Sequence, residues 1–204
     1  PPGGDPIGGR PVDVHINSFA KLGAQINRVG DVYTASALEG LQGTRIFMDY
    51  PSVSGTQNVL MAATLAKGDT TIVNAATEPE VIFLADLLTQ MGAVISGAGT
   101  QVINIHGVEE LNGCEISLPS DRIEAGTFAI AAVLTAGNVT IENAPIEDLD
   151  SLFSKLKDCG AKLEVNGEEV TVSRDTALLP VNFQSLPYPG MPTDLQAPMA
   201  TLLT

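Results

Sequence analysis

Residues 84–99, Leu84-Ala85-Asp86-Leu87-Leu88-Thr89-Gln90-Met91-Gly92-Ala93-Val94-Ile95-Ser96-Gly97-Ala98-Gly99, decide the fold because the chain carries their pattern three times. The Gly-Ala pairs at 23–24, 92–93 and 160–161 stand 69 and 68 residues apart. Each follows an amphipathic segment: Phe19-Ala20-Lys21-Leu22, then residues 84–91, then Leu152-Phe153-Ser154-Lys155-Leu156-Lys157-Asp158-Cys159. Glycine at that point ends a helix by taking the left-handed C′ conformation. Beyond each pair, two short alternating runs flank a turn, as in Val94-Ile95-Ser96 and Val102-Ile103-Asn104-Ile105, which is the signature of a strand pair. A fixed period of this length makes one supersecondary unit the building block of the chain.

The repeat extends outward from these pairs. Leu41-Gln42-Gly43 and Leu111-Asn112-Gly113 recur 70 residues apart and lead into expected strands at 44–48 and 115–118, with the third copy looser. Each copy then reaches a polar loop that opens a helix: Pro51-Ser52-Val53-Ser54-Gly55-Thr56, Pro119-Ser120-Asp121-Arg122-Ile123-Glu124 and Pro189-Gly190-Met191-Pro192-Thr193-Asp194. Helices expected over 58–66 and 127–134 are apolar nearly all round, the pattern of a buried helix. Thr71-Ile72-Val73-Asn74-Ala75 and Thr140-Ile141-Glu142-Asn143-Ala144 read as strands leading to the next amphipathic helix. The expected class is α/β (α+β), assembled from repeated strand, helix, strand-pair, strand and buried-helix units. Helix N-termini carry unpaired N–H groups and partial positive charge, so the three loops are natural places for an anionic or polar ligand. Ser52, Asp121 and Thr193 are equally suited to capping their helices with no ligand involved.

The 204 residues are 44% hydrophobic with mean hydropathy +0.20, which suits a folded protein with one good core or two small ones. A formal charge of -14 repels nucleic acid and anionic membranes, and leaves any anionic ligand to local basic groups such as Arg10, Arg45 or Arg122. The apolar runs at 59–66 and 128–136 are too short to span a bilayer, and no basic-then-apolar signal opens the chain, so a soluble, cytoplasmic protein is expected. Cys114 and Cys159 lack metal-ligand spacing and are expected to be reduced core thiols. The sequence opens without Met and stops at Leu-Leu-Thr in an apolar run, as a piece of a longer protein would.

Residues 2–15, Pro-Gly-Gly-Asp-Pro-Ile-Gly-Gly-Arg-Pro-Val-Asp-Val-His, add chemistry to this frame. Four glycines let backbone approach a ligand closely, with Asp5 at the tip of the loop and Arg10 on the returning chain. The planar fork of Arg10 suits phosphate or carboxylate. His15 is expected to be a hydrogen-bonded strand residue rather than a proton-transfer group.

Four segments taken together, Pro-Gly-Gly-x-x-Ile-Gly-x-Arg-Pro-Val-Asp-x-His at 2–15, Pro-Ser-Val at 51–53, Asp-Arg-Ile-Glu-Ala-Gly-Thr at 121–127 and Pro-Thr-Asp-Leu-Gln-Ala at 192–197, resemble the UDP-N-acetylglucosamine 1-carboxyvinyltransferase family of enolpyruvyl transferases. The resemblance covers nearly the whole chain and about the central half of a family member. It implies an inside-out α/β barrel fold made of βαβαββ units, with 1–119 belonging to one domain and 120–204 to the other. It also implies transfer of enolpyruvate from phosphoenolpyruvate to the 3′-hydroxyl of UDP-N-acetylglucosamine, a step of peptidoglycan precursor synthesis that requires no metal and no cofactor.

By the same resemblance, Asp194 contacts the sugar hydroxyl and is the favoured base, its carboxylate stabilised by a helix start. Asp5 stands where most family members carry the loop cysteine that donates a proton and is attacked by fosfomycin. An aspartate with a raised pKa can donate the proton but is a poor nucleophile toward an epoxide, so a fosfomycin-insensitive enzyme is expected. Arg10, Pro11, Val12, Asp13 and Val14 are implied to line the nucleotide-sugar site, with Arg10 also near the phosphate of phosphoenolpyruvate. Tyr50, Pro51, Ser52 and Val53 are implied to hold the diphosphate and uridine side. Ser54 replaces a common family Gly, with Gly55 displaced by one. Arg122 and Thr193 complete the implied substrate-binding set, Arg122 in the interdomain region.

The family's Lys-Asn pair near its start and a further arginine near its end fall in segments not represented here, so this chain alone is expected to be catalytically incomplete and prone to self-association. Two other readings are a transferase acting on shikimate 3-phosphate, which shares the repeat, and a non-catalytic remnant that binds nucleotide sugar.

Overall fold

Residues 12–204 of the computed structural model fall into two units that meet in sequence between Ile116 and Ser117. In the first, helix α1 (Asp13–Lys21) and the hairpin of β1 (Gln25–Val29) and β2 (Val32–Ser36) precede β3 (Arg45–Phe47) and α2 (Val53–Ala63). Then come β4 (Asp69–Val73), α3 (Pro79–Gln90), β5 (Val94–Ser96) and β6 (Val102–His106). The second contains α4 (Arg122–Leu134), β7 (Asn138–Ile141), α5 (Asp150–Asp158), β8 (Lys162–Asn166), β9 (Glu169–Ser173) and α6 (Gln196–Leu202), with 3-10 turns at Ile146–Leu149 and Thr193–Leu195.

The sequence period is a period of strand pairing. β6 lies between β4 and β5 and is antiparallel to both, and β9 lies between β7 and β8 in the same way. The first copy contributes the hairpin β1-β2, and β3 adds to the second sheet parallel to β4. Among the described residues the strands therefore make three open sheets. Gly23, Gly92 and Gly160, each just beyond an amphipathic helix, have φ of +93°, +108° and +95°, the left-handed geometry expected of a C′ glycine.

Two expected strands end earlier than their composition suggests. β4 stops at Val73 and β7 at Ile141, because Asn74 and Asn143 turn the backbone into the left-handed region with φ of 60° and 52°. The next amides, of Ala75 and Ala144, bond instead to the carbonyls of Gln101 and Glu168. The strand expected at 115–118 does not form. An alternating run becomes a strand only with a partner, and none among the described residues lies beside it; Leu118 is 81% exposed.

Each unit builds its core around its apolar helix. Val59, Leu60 and Ala63 of α2 pack with inward residues of the sheet, Ile46, Ile72, Ile103 and Ile105, and with Val81, Ala85 and Leu88 of α3. Ala129, Ile130 and Val133 of α4 pack with Val170 and Val172 of β9 and with Leu152 and Leu156 of α5. The burial expected of these helices is one-sided: Met61 of α2 and Leu65 just beyond it, and Phe128, Ala131 and Leu134 of α4, remain exposed. Cys159 joins the second core, whereas Cys114 is exposed, contrary to the expectation of two core thiols, because it lies in the unpaired stretch before 115–118. Thr56, fully buried on α2, accepts a hydrogen bond from the amide of Ala76 at 3.0 Å, whereas the buried hydroxyls of Thr70 and Ser185 have no hydrogen-bond partner among the described residues. Arg174 closes the far end of α4, its Nε donating to the Val133 carbonyl at 2.7 Å.

The segment joining α2 to β4 is held by two crossings that leave no room for a side chain. The amides of Gly43 and Gly107 bond to the carbonyls of Lys67 and Gly68, and a Cβ on Gly107 would fall 1.6 Å from the Ala66 carbonyl oxygen. Gly107→Ala is expected to lower stability by about 3 kcal/mol, while Gly113→Ala, with open space around it, stays within about 0.5 kcal/mol of wild type in urea denaturation.

Candidate active site

The first candidate region forms where α1 crosses the start of α2. Gly55 makes the crossing close: a Cβ there would meet Val14 Cγ1 at 2.8 Å and the Ser52 side chain at 3.0 Å. The displaced glycine of the 51–56 loop thus has a packing role, bringing Val14 against the helix. Ser52 is the N-cap of α2 and its Oγ accepts from the Gly55 amide at 3.1 Å, an interaction that stabilises a helix by about 1 kcal/mol.

Beside this crossing lies a cleft of about 440 Å³, lined from α1 by Asp13, Val14, His15, Asn17, Ser18 and Lys21 and from the β3–α2 connection by Phe47, Met48, Asp49, Tyr50, Ser52 and Ser54. The structure therefore brings Asp13, Val14, Tyr50 and Ser52 together from two segments of the expected set. Val12, at the N-cap of α1, and Pro51 and Val53 are neighbours in the chain but do not line the cleft. Asp5, Arg10 and Pro11 lie outside the described residues.

His15 is on a helix rather than a strand. The Asn58 amide nitrogen lies 2.7 Å from its Nδ1 and can only donate, so the ring nitrogen accepts and ties α1 to α2. Asn17, Lys21 and Asp49 also face the cleft and were not singled out from sequence. The signal was present for Asn17 and Lys21: on a helix that starts at Asp13, both fall within a turn of Val14 and Ser18.

The second unit holds Arg122, Thr193 and Asp194. Thr193 and Asp194 occupy the exposed 3-10 turn before α6, and Thr193 does not cap a helix. Leu195 is fully buried, and its Cδ1 would lie 2.7 Å from a Cβ placed on Gly126 of α4, so the turn is pinned into a gap that only glycine leaves. Asp121, by contrast, is an N-cap, accepting from the amides of Ile123 at 2.7 Å and Glu124 at 3.1 Å. Arg122, the first residue of α4, is only 7% exposed, and its guanidinium carbon lies 5.7 Å from the centre of the Tyr188 ring. The Tyr188 hydroxyl donates to Asp148 at 3.0 Å. Burial first, then the hydrogen bond and charge of Asp148, push the Tyr188 phenol above its ordinary value, with Arg122 opposing, so it remains a donor.

The sequence model of the EPSP synthase (3-phosphoshikimate 1-carboxyvinyltransferase) family matches residues 2–204. The UDP-N-acetylglucosamine 1-carboxyvinyltransferase 1 of Staphylococcus aureus (strain MRSA252) is 48% identical over 203 residues, covering 99% of this chain and 48% of that protein. The corresponding protein 1 of Caldanaerobacter subterraneus subsp. tengcongensis is 46% identical over 203 residues, covering 100% of this chain and 49% of its own length. The chain thus spans about half the length of the curated relatives it matches. Among solved structures, the enolpyruvyl transferase NikO from Streptomyces tendae superposes with a TM-score of 0.83 at 26% identity, over 95% of this chain and 49% of that one. EPSP synthase from Acinetobacter baumannii gives 0.59 at 22% identity over 81% and 40%, a likeness of fold alone. The repeat, the strand order and these similarities lead to one conclusion: the chain belongs to the EPSP synthase family of enolpyruvyl transferases.

Proposed function

We propose that the protein carrying this chain transfers enolpyruvate from phosphoenolpyruvate to the 3′-hydroxyl of UDP-N-acetylglucosamine, in the cytoplasm, as a step of peptidoglycan precursor synthesis. The observation that carries this reading is the 46–48% identity, along the full chain, to relatives named for that reaction. The shikimate 3-phosphate reading has weaker support, since the EPSP synthase structure is only 22% identical.

In this reading the sugar oxygen bonds to C2 of phosphoenolpyruvate while C3 gains a proton, and loss of a proton from C3 then expels phosphate. Asp5 supplies the proton to C3, Asp194 orients or deprotonates the sugar hydroxyl, and Arg10 holds the anionic group. The cleft at the α1–α2 crossing takes the nucleotide part of the sugar. What supports this is that Asp13, Val14, Tyr50 and Ser52, from two motif segments, line one cleft, and that Asn17 and Lys21 bring polar and positive groups to a wall that also carries Asp13 and Asp49. Residues 1–119 and 120–204 are assigned to the two domains of the family.

Phosphate release from phosphoenolpyruvate by the intact protein is expected to require UDP-N-acetylglucosamine and to fall on the order of 10²–10⁴-fold in Asp194→Asn and in Asp5→Asn. Release driven equally by shikimate 3-phosphate, or unaffected by either substitution, contradicts the assignment. The wild-type enzyme is expected to withstand fosfomycin and Asp5→Cys to be inactivated by it; unchanged resistance in an active Asp5→Cys enzyme contradicts the role given to position 5.

A further inference from the structure

Tyr188 is held from two directions by elements distant in sequence. Its ring faces the buried guanidinium of Arg122 at the start of α4, and its hydroxyl donates to Asp148 in the 3-10 turn before α5. Removing a guanidinium from water is costly, and the face of an aromatic ring offsets part of that cost while fixing the geometry of both groups.

The ring belongs to a tightly closed turn. The Leu186 amide bonds to the Met191 carbonyl at 3.0 Å and the Gly190 amide to the Pro187 carbonyl at 2.8 Å. A Cβ on Gly190 would lie 2.5 Å from Leu186 Cβ, so the two sides of the turn touch. Met191 is buried, the Leu195 amide bonds to the Pro192 carbonyl at 3.2 Å, and Leu195 fills the gap at Gly126. The exposed carboxylate of Asp194 therefore stands between two anchors, the turn at 186–191 and the buried Leu195.

We propose that Arg122, Tyr188 and Asp148 are positioning residues: a clamp that fixes the 186–191 turn and, through it, the place of the Asp194 carboxylate. Arg122 then acts on the reaction through Tyr188 rather than by touching substrate. The functional half of this inference rests on the role given to Asp194 above, and the structural half does not.

The test is amide hydrogen exchange on this chain in four forms: wild type, Tyr188→Phe, Asp148→Ala and Asp148→Asn, the last retaining an acceptor oxygen. The expected result is exchange roughly fivefold faster at Leu186, Gly190 and Leu195 in Tyr188→Phe and Asp148→Ala, the change set by one lost hydrogen bond. Val170 and Val172 in β9 report global stability and are expected to hold their wild-type rates, and Asp148→Asn to restore the turn. No acceleration, or equal acceleration at the turn and in β9, overturns the clamp. In the intact protein, Tyr188→Phe is expected to lower kcat more than it raises KM for the sugar nucleotide, and Asp148→Asn to retain wild-type kcat. An unchanged kcat in Tyr188→Phe overturns the link to Asp194. A wild-type protein with no turnover defeats the proposed reaction instead, and leaves the exchange rates to decide the clamp.

Discussion

The structure depends on burying one apolar face of each of two helices, α2 and α4. These faces, Val59, Leu60 and Ala63 of α2 and Ala129, Ile130 and Val133 of α4, hydrate poorly, so what packs on them must be apolar and close. The chain meets this with inward isoleucines and valines on the sheets, an amphipathic helix in each unit, and glycines where contact is closest. Gly55 admits Val14, and Gly126 admits Leu195 and Leu152. Replacing either glycine moves a neighbouring element that also carries candidate site residues, so packing and function share these positions.

Polar groups also meet these helices at their ends. At the far end of α4, Arg174 supplies donors to the last carbonyls. At the near ends, Ser52 and Asp121 satisfy part of the N-terminal amides, and the loops that carry them run along the surface. The cleft of the first unit opens at such an end, between the α1 crossing and the 50–54 loop. The turn bearing Asp194 follows a different plan. It has no side-chain cap, and its place is set by the buried residues on either side, Met191 and Leu195.

Most of this fold was legible in the sequence because repetition separates pattern from accident. Gly23, Gly92 and Gly160 marked three helix ends, and the runs after them marked three hairpins. What stayed hidden depended on partners that a linear pattern does not name. The 115–118 run alternates like a strand but has no neighbour to pair with, and Cys114 is exposed for the same reason. Asn74 and Asn143 look like strand residues until their left-handed backbone is seen. In the cleft, the motif residues Asp13, Val14, Tyr50 and Ser52 were legible, whereas Asp49 reaches it only because the stretch after β3 comes to the same cleft as α1, and Tyr188 meets Arg122 across many intervening residues.

The central claim, that the start of the buried helix α2 and the facing side of α1 form the nucleotide-sugar site, is tested most directly by titrating this chain with UDP-N-acetylglucosamine and following its backbone amide resonances. The account predicts saturable shifts at Ser54, Gly55, Thr56 and along residues 13–21, with β8 and β9 of the second unit unmoved. Shifts confined to the second unit, or none at millimolar ligand, would contradict it.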